Sequence, residues 1–390
     1  MTSWIEIDLD AILENYRTAC ALAQGGAEIT CVLKANAYGH GAVPVALALQ
    51  QAGCRSFAVS CDREALELRR HGIAGDILVM TPAETPDRLV AAGAVLTAAS
   101  AEDLARAEAA AAAQNRIAQV QLKLDSGFHR LGFPCDGETV SRLAGLIPSL
   151  PHVRVTGAYT HLALARADLD ARQVSRFRET ADALEAAGIP LPDRHVCDSI
   201  GLARYPQWHM SRCRVGAFLF GSCPKDVRAR GIPCRESLRF LAPVTQVTDV
   251  AAGETVGYDE ALTDRPVRVA TVQAGYGDGY PRSLSGGRGK VSIRGRRCPV
   301  VGLVCMDQMM VDVSAVPDCR AGDTAELLGG AIPYDEMADW ADTNRNECLT
   351  ILSRRPVRRY YRDGLLAAEW DMLAGDFDGA ATAARQEETT

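Results

Sequence analysis

The stretch Cys31-Val-Leu-Lys-Ala-Asn-Ala-Tyr-Gly-His-Gly41 joins the end of an apolar run to a lysine and then to a turn of small residues. Residues 29–33 have the length and composition of a buried strand. Lys34 follows directly, where partial burial would lower its pKa and make the amine a nucleophile for carbonyl groups. The glycines of the turn allow close approach to a ligand. A lone lysine at a strand end is usually a solvated residue, but its neighbours here favour a reactive one.

The same order of elements, a short strand followed by a turn and an amphipathic helix, recurs up to about Gly221. Helical patterns lie between the strands, for example over residues 64–71 and 101–114. The predicted strands cover residues 29–33, 56–59, 76–80, 94–98, 118–124, 153–159, 194–197 and 212–217. Eight strands alternating with helices predict a (β/α)8 barrel. A doubly wound sheet is the alternative, but no G-x-G-x-x-G follows the first strand.

Beyond Pro233 the pattern changes to strand-like runs separated by Gly, Pro and Asp, which indicates a second, mostly β domain. These runs cover residues 244–250, 267–273, 290–293, 299–304 and 309–313, and residues 334–341 form a helix candidate. The fold class is therefore α/β, a (β/α)8 barrel over residues 9–233 followed by a mostly β domain over 234–374. An N-terminal strand within residues 3–8 is expected to join the β domain, and residues 375–390 to form a flexible tail.

Composition narrows the class of protein. The 390 residues are 47% apolar and 23% charged, with a net charge of −7, which argues against a nucleic acid or an anionic membrane as partner. No apolar run reaches the length of a membrane span, and the N-terminus does not resemble a signal peptide. Thirteen cysteines without C-x-x-C spacing indicate reduced thiols and no metal site. We expect a cytoplasmic enzyme.

The polar clusters of the barrel region follow the predicted strands. Barrel enzymes carry their chemistry on loops at the carboxyl ends of the strands. The clusters are Lys34 after the first strand, Lys123-Leu-Asp-Ser-Gly-Phe-His-Arg130 after the fifth, Tyr159-Thr-His161 after the sixth, Asp198-Ser199 after the seventh and Arg214-Val-Gly216 at the eighth. Random placement would scatter them over both ends, so we predict an active site at this one rim.

These clusters resemble those of the alanine racemases, pyridoxal 5'-phosphate (PLP) enzymes built from a barrel and a β domain. The resemblance extends from about Trp4 to Arg359. The resemblance implies a PLP-dependent racemase that interconverts L- and D-alanine by a two-base mechanism. Its role is open between D-alanine supply for the cell wall, catabolism and resistance. It also implies a homodimer with shared active sites, a small amino acid as substrate, and no nucleic-acid or membrane partner.

By this resemblance Lys34 is the catalytic lysine that binds PLP covalently. The other cofactor-binding residues that the resemblance implies are Tyr38, His161, Ser199, Arg214, Gly216 and Ala217. Arg214 would face the pyridine nitrogen, and because an arginine keeps its proton, that nitrogen would stay unprotonated and the electron sink weak. A weak electron sink limits side reactions such as transamination. The alternatives are a helix N-cap for Ser199 and a salt-bridged structural role for Arg214.

The resemblance also implies substrate-binding residues and a second catalytic base. Arg130 would contact the substrate carboxylate, and Lys123 would be carbamylated, or else be paired with Asp125. In the β domain, Gly257-Tyr258-Asp259 would supply the base, since tyrosine acts as one when its surroundings lower a pKa near 10. Substrate contacts would come from Tyr276, in a G-Y-G-D-G turn, and from Met306 and Asp307.

One segment departs from the family. Many alanine racemases carry a tyrosine before an Arg-Val-Pro segment, where it crowds the substrate side chain. Here the stretch Thr350-Ile-Leu-Ser-Arg-Arg-Pro-Val-Arg-Arg-Tyr360 places Ser353 near that position and resembles the serine racemase domains linked to vancomycin resistance. A serine or serine/alanine racemase is therefore the alternative. Less favoured are a PLP-dependent decarboxylase and a non-catalytic PLP-binding protein, because the former's late β-domain cysteine and acidic pattern is not found and the latter lacks a β domain.

Overall fold

The computed structural model describes residues 2–258 and 263–378, with residues 376–378 described by their backbone. Nineteen strands lie within these ranges: β1 Trp4–Asp8, β2 Glu28–Val32, β3 Ser56–Val59, β4 Asp76–Pro82, β5 Val95–Ala98, β6 Ala118–Asp125, β7 Phe133–Pro134, β8 Val153–Tyr159, β9 Asp193–His195, β10 Arg212–Val215, β11 Leu238–Val250, β12 Val267–Val272, β13 Lys290–Ile293, β14 Arg296–Val301, β15 Met309–Asp312, β16 Thr324–Leu328, β17 Val357–Arg362, β18 Leu365–Asp371 and β19 Asp376–Asp378.

The helices of the described ranges alternate with the barrel strands and return only near the end of the chain. They are Leu9–Leu22, Ala42–Gln51, Asp62–Arg70, Pro86–Ala91, Ala101–Ala112, Gly137–Leu146, Ala167–Ala186, Ser199–Arg204, Lys225–Arg228, Tyr334–Ala341 and Arg345–Thr350, with 3-10 turns at Ile147–Ser149, Pro206–Trp208, Ala217–Phe220 and Arg282–Leu284. None of the described helices is long and apolar enough to span a membrane.

The first sheet is the predicted barrel. Its eight parallel strands follow the order β10-β2-β3-β4-β5-β6-β8-β9, and the short β7 pairs with β6. Two backbone hydrogen bonds connect β9 and β10, the strands at the two ends of this order. The N–H of Ser211 donates to the carbonyl of Arg194 at 3.1 Å, and the N–H of Arg214 donates to the carbonyl of Cys197 at 3.0 Å. The strands bury apolar side chains such as Val32 and Leu78 together with polar ones such as Gln121 and His195. Barrel enzymes bind their ligands at the carboxyl rim. The eight predicted strands are confirmed, with the seventh and eighth ending two residues early, before the turns that begin at Asp198 and Gly216.

The second sheet confirms a mostly β region after the barrel. In the described residues, β11, β12, β15, β14, β13 and β16 form a closed ring, because the 13-residue β11 pairs with both β12 and β16. From β11 the sheet continues through β1, β17, β18 and β19. The N-terminal strand β1 lies antiparallel to β11 and parallel to β17, so the first and last thirds of the chain pack together.

The domain boundary and the tail compare with the structure as follows. The predicted boundary at 233/234 falls in the link between the helix Lys225–Arg228 and β11. The predicted tail, 375–390, begins too early, because β19 within it pairs with β18 and extends the sheet. Residues 379–390 lie outside the described residues.

Candidate active site

Lys34 opens a left-handed helical turn. Residues 35–38 all have φ between 51° and 54°, although none is glycine. This backbone costs roughly 1–2 kcal/mol per L-residue, and such strain persists where the surroundings impose it, often at functional sites. Two side chains hold the turn: the N–H of Ala35 donates to Glu64 Oε1 at 2.6 Å, and the N–H of Ala42 donates to Asn36 Oδ1 at 2.8 Å.

The end of the turn is held by the β domain of the same chain. The fully buried Arg358 donates from Nε to the carbonyl of Gly39 at 2.9 Å and from Nη2 to that of Ser353 at 3.1 Å. The hydroxyl of Tyr360 donates to the carbonyl of His40 at 2.9 Å. Burial lowers the pKa of the His40 imidazole to about 3, so it is a neutral packing group rather than an acid or base. The turn after Lys34 is therefore anchored to β17.

The Lys34 amine is half-buried and has no hydrogen-bond or ion-pair partner among the described residues. Burial lowers its pKa, and the nearby Arg130 and Arg214 act in the same direction, while Glu64 and Asp198 oppose them. A larger neutral fraction makes the amine a better nucleophile for a carbonyl carbon. The lysine thus has the properties that the sequence predicted.

Tyr38, Ser199 and Gly216 meet at the same rim. The N–H of Gly216 donates to Ser199 Oγ at 3.0 Å, and a Cβ built on Gly216 would lie 2.5 Å from the Tyr38 hydroxyl. That hydroxyl has no hydrogen-bond partner within the described ranges. The N-cap alternative for Ser199 is wrong, because Asp198 Oδ1 caps the helix by accepting from the N–H groups of Ile200 and Gly201, both at 2.9 Å. Two hydroxyls and a backbone N–H are donors suited to a phosphate.

Arg214 lies buried within the barrel, beside His195. Its Nη1 is 2.7 Å from His195 Nδ1, and its Nη2 donates to the carbonyl of Thr160 at 2.7 Å. No carboxylate of the described residues forms a salt bridge with it, so the salt-bridge alternative is wrong. The guanidinium is held by neutral acceptors, and burial lowers its pKa from a value at which arginine is always protonated.

His161 and Arg130 both contact Phe128, on the loop after β6. The rings of Phe128 and His161 meet edge to face at 5.0 Å, and the Arg130 guanidinium lies 4.5 Å from the Phe128 centroid. Burial lowers the pKa of His161 to about 3, and Arg214 and Arg130 add to this effect. His161 is therefore neutral, and Arg130 is exposed without an ion-pair partner among the described residues, free to bind an anion.

Lys123 is buried beneath this loop. Its Nζ donates to the carbonyl of Leu124 at 3.2 Å and lies 5.5 Å from the Tyr159 ring centroid. The alternative pairing with Asp125 is wrong, because Asp125 Oδ1 instead accepts the N–H groups of residues 127, 128 and 129, each at 3.0 Å. Burial, with Arg214, lowers the pKa of Lys123 to about 8. An amine with this pKa is partly neutral at neutral pH, as reaction with carbon dioxide requires.

The residues predicted in the β domain lie exposed, and none of them forms a hydrogen bond or ion pair with Lys34 in the same chain. The side chains of Tyr258, Tyr276 and Met306 are 67%, 42% and 54% exposed. The N–H of Tyr276 donates to the carbonyl of Cys305 at 3.0 Å, so the two loops are joined. Asp307 accepts a hydrogen bond from Arg355 Nη2 at 2.8 Å. One chain therefore brings the predicted barrel residues together and leaves Tyr258, Tyr276 and Met306 exposed.

Sequence reasoning missed three residues that support the site. Phe128 carries both Arg130 and His161, His195 contacts Arg214, and Arg358 holds the turn after Lys34. In the sequence, His195 stands out as a polar side chain within a strand that was predicted to belong to the barrel. For Arg358 no local signal pointed to the turn after Lys34, because the carbonyl that it binds there, that of Gly39, is 319 residues away.

The comparisons with known proteins agree over the whole chain. Family models described as "Alanine racemase, N-terminal domain" and "Alanine racemase, C-terminal domain" match residues 7–224 and 237–360. The chain is 35% identical over 386 residues to an alanine racemase of Desulfosudis oleivorans, covering 94% of this chain and 98% of the relative. It is 37% identical over 377 residues to that of Symbiobacterium thermophilum, covering 92% and 97%. The solved alanine racemase of Clostridium difficile 630 superposes with a TM-score of 0.92 at 30% identity, covering 96% and 99%.

Proposed function

Because this chain belongs to the alanine racemase family, we propose that Lys34 and Tyr258 are the two bases with which it interconverts L- and D-alanine. The enzyme is an isomerase of this family, which is PLP-dependent, and the curated relatives and structural neighbours carry the name alanine racemase. The serine alternative is not favoured by these relatives. Ser353 Oγ accepts the N–H of Arg355 at 3.1 Å and so closes a local turn.

The observation that carries the proposal is the Lys34 amine, which has no partner among the described residues and lies at the same rim as Tyr38, Ser199 and Gly216. Tyr38, Ser199 and the N–H of Gly216 fit the phosphate of PLP, and the N–H of Ala217 follows them at the start of a 3-10 turn. PLP, when bound, would hold the substrate amino group covalently and withdraw electrons from the bond between the α-carbon and its hydrogen. Arg214 would face the ring nitrogen and keep its proton, which keeps that nitrogen unprotonated.

The proton at the substrate α-carbon must leave one face and return on the other. Lys34, at the end of β2, reaches one face and exchanges a proton there as a neutral amine. Tyr258 serves the opposite face through its phenolic oxygen. Arg130 and the backbone N–H of Met306 bind the substrate carboxylate, and Tyr276 and Asp307 border the site. His161, a neutral imidazole, would lie beside the cofactor ring.

Tyr258 forms no hydrogen bond or ion pair with Lys34 within a chain, and this supports a homodimer with shared sites. Tyr258, Tyr276 and Met306 are large exposed hydrophobic residues, and their burial would favour association. In a two-fold dimer, the β domain of one chain covers the barrel rim of the other, and two equal composite sites result. A cytoplasmic location also remains part of the proposal, to be tested by cell fractionation.

We predict that Gly216→Ala weakens PLP binding. Because Gly216 is not at positive φ, the change acts through its Cβ, which would lie 2.5 Å from the Tyr38 hydroxyl. Overpacking of this kind costs about 1–3 kcal/mol, so the PLP dissociation constant should rise by roughly tenfold to a hundredfold. Titration of the cofactor-free protein measures it. Gly137→Ala, where a Cβ meets nothing within 4 Å, is the matched control. Equal affinities for both variants would contradict the proposed phosphate site.

Carbamylation of Lys123 is a second prediction. Its pKa of about 8 leaves part of the amine neutral at pH 7–8, and a carbamate would replace a buried cation by an anion able to orient Arg130. Protein exchanged with 13C-bicarbonate should show one carbamate carbon resonance by NMR. The resonance should vanish in Lys123→Arg and persist in Lys225→Arg, whose lysine is exposed. Absence of the resonance from the parent would show that Lys123 is an unmodified lysine.

A further inference from the structure

A line of hydrogen bonds leads from Arg214 through the barrel interior towards its amino end. Arg214 Nη1 is 2.7 Å from His195 Nδ1, and His195 Nε2 is 2.7 Å from Gln121 Oε1. Gln121 Nε2 then donates to Asp193 Oδ2 at 2.7 Å. His195 is fully buried, and Gln121 and Asp193 are nearly so. The line therefore couples the carboxyl rim, where the site lies, to the opposite side of the barrel.

The chemistry of the two ends fixes the direction of every bond in this line. A guanidinium can only donate, so His195 Nδ1 accepts from Arg214 and the ring proton sits on Nε2. A carboxylate can only accept, so the amide NH2 of Gln121 faces Asp193 and its oxygen faces His195. Both ends thus require the same tautomer, with Nε2–H donating to Gln121. The carboxylate is itself fixed, since Asp193 Oδ1 accepts from Ser211 Oγ at 2.6 Å and from Arg212 Nε at 2.8 Å.

We propose that Gln121 and Asp193 are positioning residues for racemisation, because they lock His195 in the tautomer whose Nδ1 lone pair holds the Arg214 guanidinium in place. The inference rests on the proposed function, in which Arg214 faces the ring nitrogen of the cofactor. Without this line, His195 could present an N–H to the guanidinium. Two donors would then meet at 2.7 Å, and Arg214 would shift or lose a bond.

The surroundings of His195 favour the neutral ring that this arrangement needs. Arg214 and Arg212 from β10 face it as cations, as does Lys123 from β6 where its amine is unmodified, and Asp193 from β9 is held by Arg212. The ring of Tyr159, on β8, stacks on the imidazole with centroids 5.0 Å apart. Burial and the cations lower the pKa of His195 well below its usual value. The ring therefore stays neutral, and its tautomer is set by its hydrogen bonds.

The amino end of the barrel offers a matched control. Gln121 lines a polar cavity of about 450 Å³ there, together with Gln119 on the same strand β6. Gln119 has no side-chain hydrogen bond to this line within the described residues. Gln119→Leu therefore changes the same residue type in the same cavity, but leaves the bonds from Asp193 to Arg214 intact.

The experiment compares Gln121→Leu and Asp193→Asn with Gln119→Leu and the parent. The nitrogens of 15N-labelled histidines in the full-length protein, with the His195 signals assigned by their loss in His195→Gln, should show Nε2–H in the parent. Asp193→Asn, which is isosteric but can also donate, should mix the two tautomers. In the PLP-loaded enzyme, both Gln121→Leu and Asp193→Asn should lower kcat for L-alanine about tenfold or more, the scale of lost outer-shell support. KM should change little, because substrate contacts are untouched. Gln119→Leu should match the parent.

Three results would overturn the proposal. They are a His195 proton on Nδ1 in the parent, a pure Nε2–H tautomer of His195 in Asp193→Asn, or the parental kcat in both Gln121→Leu and Asp193→Asn. The tautomer is read in the protein without substrate, so it decides the matter even if the parent does not racemise alanine. Failure of alanine racemisation with the predicted tautomers would count against the proposed function alone. The parental tautomer also remains a test if a variant does not fold.

Discussion

Replacing Lys34 by alanine is expected to lower the rate of racemisation at least about 10³-fold and to abolish covalent binding of PLP. The change removes both the nucleophile that binds the cofactor and one of the two bases, and each function is of large effect in enzymes. The Lys34 amine is half-buried, its pKa is lowered, and it has no hydrogen-bond or ion-pair partner among the described residues. Racemisation is measured by the loss of optical rotation of L-alanine.

The site of attachment can be mapped without ambiguity, because the chain has four lysines, at positions 34, 123, 225 and 290. Reduction of the loaded parent with borohydride should place the label on the peptide of Lys34. Lys225→Ala, an exposed lysine paired with Asp339 at 3.5 Å, is the control and should keep both label and activity. A label on Lys123, the other buried lysine, would overturn the assignment.

Tyr258→Phe is expected to lower racemisation by roughly 10²–10⁴-fold, the usual contribution of a general acid or base. The change removes only the phenolic oxygen, and the ring is 67% exposed in a single chain, so the fold should be unaffected. Lys34 would still exchange the α-hydrogen on its own face. One enantiomer of alanine should therefore exchange its α-hydrogen with deuterated solvent without inversion.

The matched control for this variant is Tyr361→Phe, a partly buried tyrosine on β17. It should racemise alanine at the parental rate. If Tyr258→Phe also keeps the parental rate, or loses exchange of both enantiomers equally, Tyr258 does not act as a base on one face.

Much of the fold could be predicted because each barrel strand is a short apolar run followed by a helix pattern. The strands β17 and β18 were missed because their residues do not alternate between apolar and polar side chains. The segment Val357–Arg362 contains three arginines, which read as loop, yet it lies between β1 and β18. Arg358 is buried there because backbone carbonyls accept its hydrogen bonds, including those of Leu352, Ser353 and the distant Gly39, and no local pattern indicates the last of these partners.

The site was predicted at the level of residue types and its geometry was not. Residues 35–38 contain no glycine, so nothing local indicates their left-handed backbone; contacts from Glu64, Asn36 and β17 impose it. Asp198, rather than Ser199, caps the helix, and this leaves the serine hydroxyl for Gly216. Asp125 binds its own loop instead of Lys123. In each case neighbouring acceptors compete for the same hydrogen-bond donors. The sequence alone does not show which acceptor forms the bond.

The central claim is that the two bases of one site come from two chains, and mixing variants tests it most directly. Lys34→Ala and Tyr258→Phe chains, each nearly inactive alone, are combined under conditions that allow subunit exchange, and heterodimers are quantified by mass. A heterodimer has one site with both bases and one with neither, so activity should return to about half the parental value per heterodimer. Lys34→Ala mixed with the Lys34→Ala/Tyr258→Phe double variant is the control, since it forms heterodimers without an intact site. Recovery in the first mixture alone is the predicted result, and inactivity despite heterodimers would contradict the shared site.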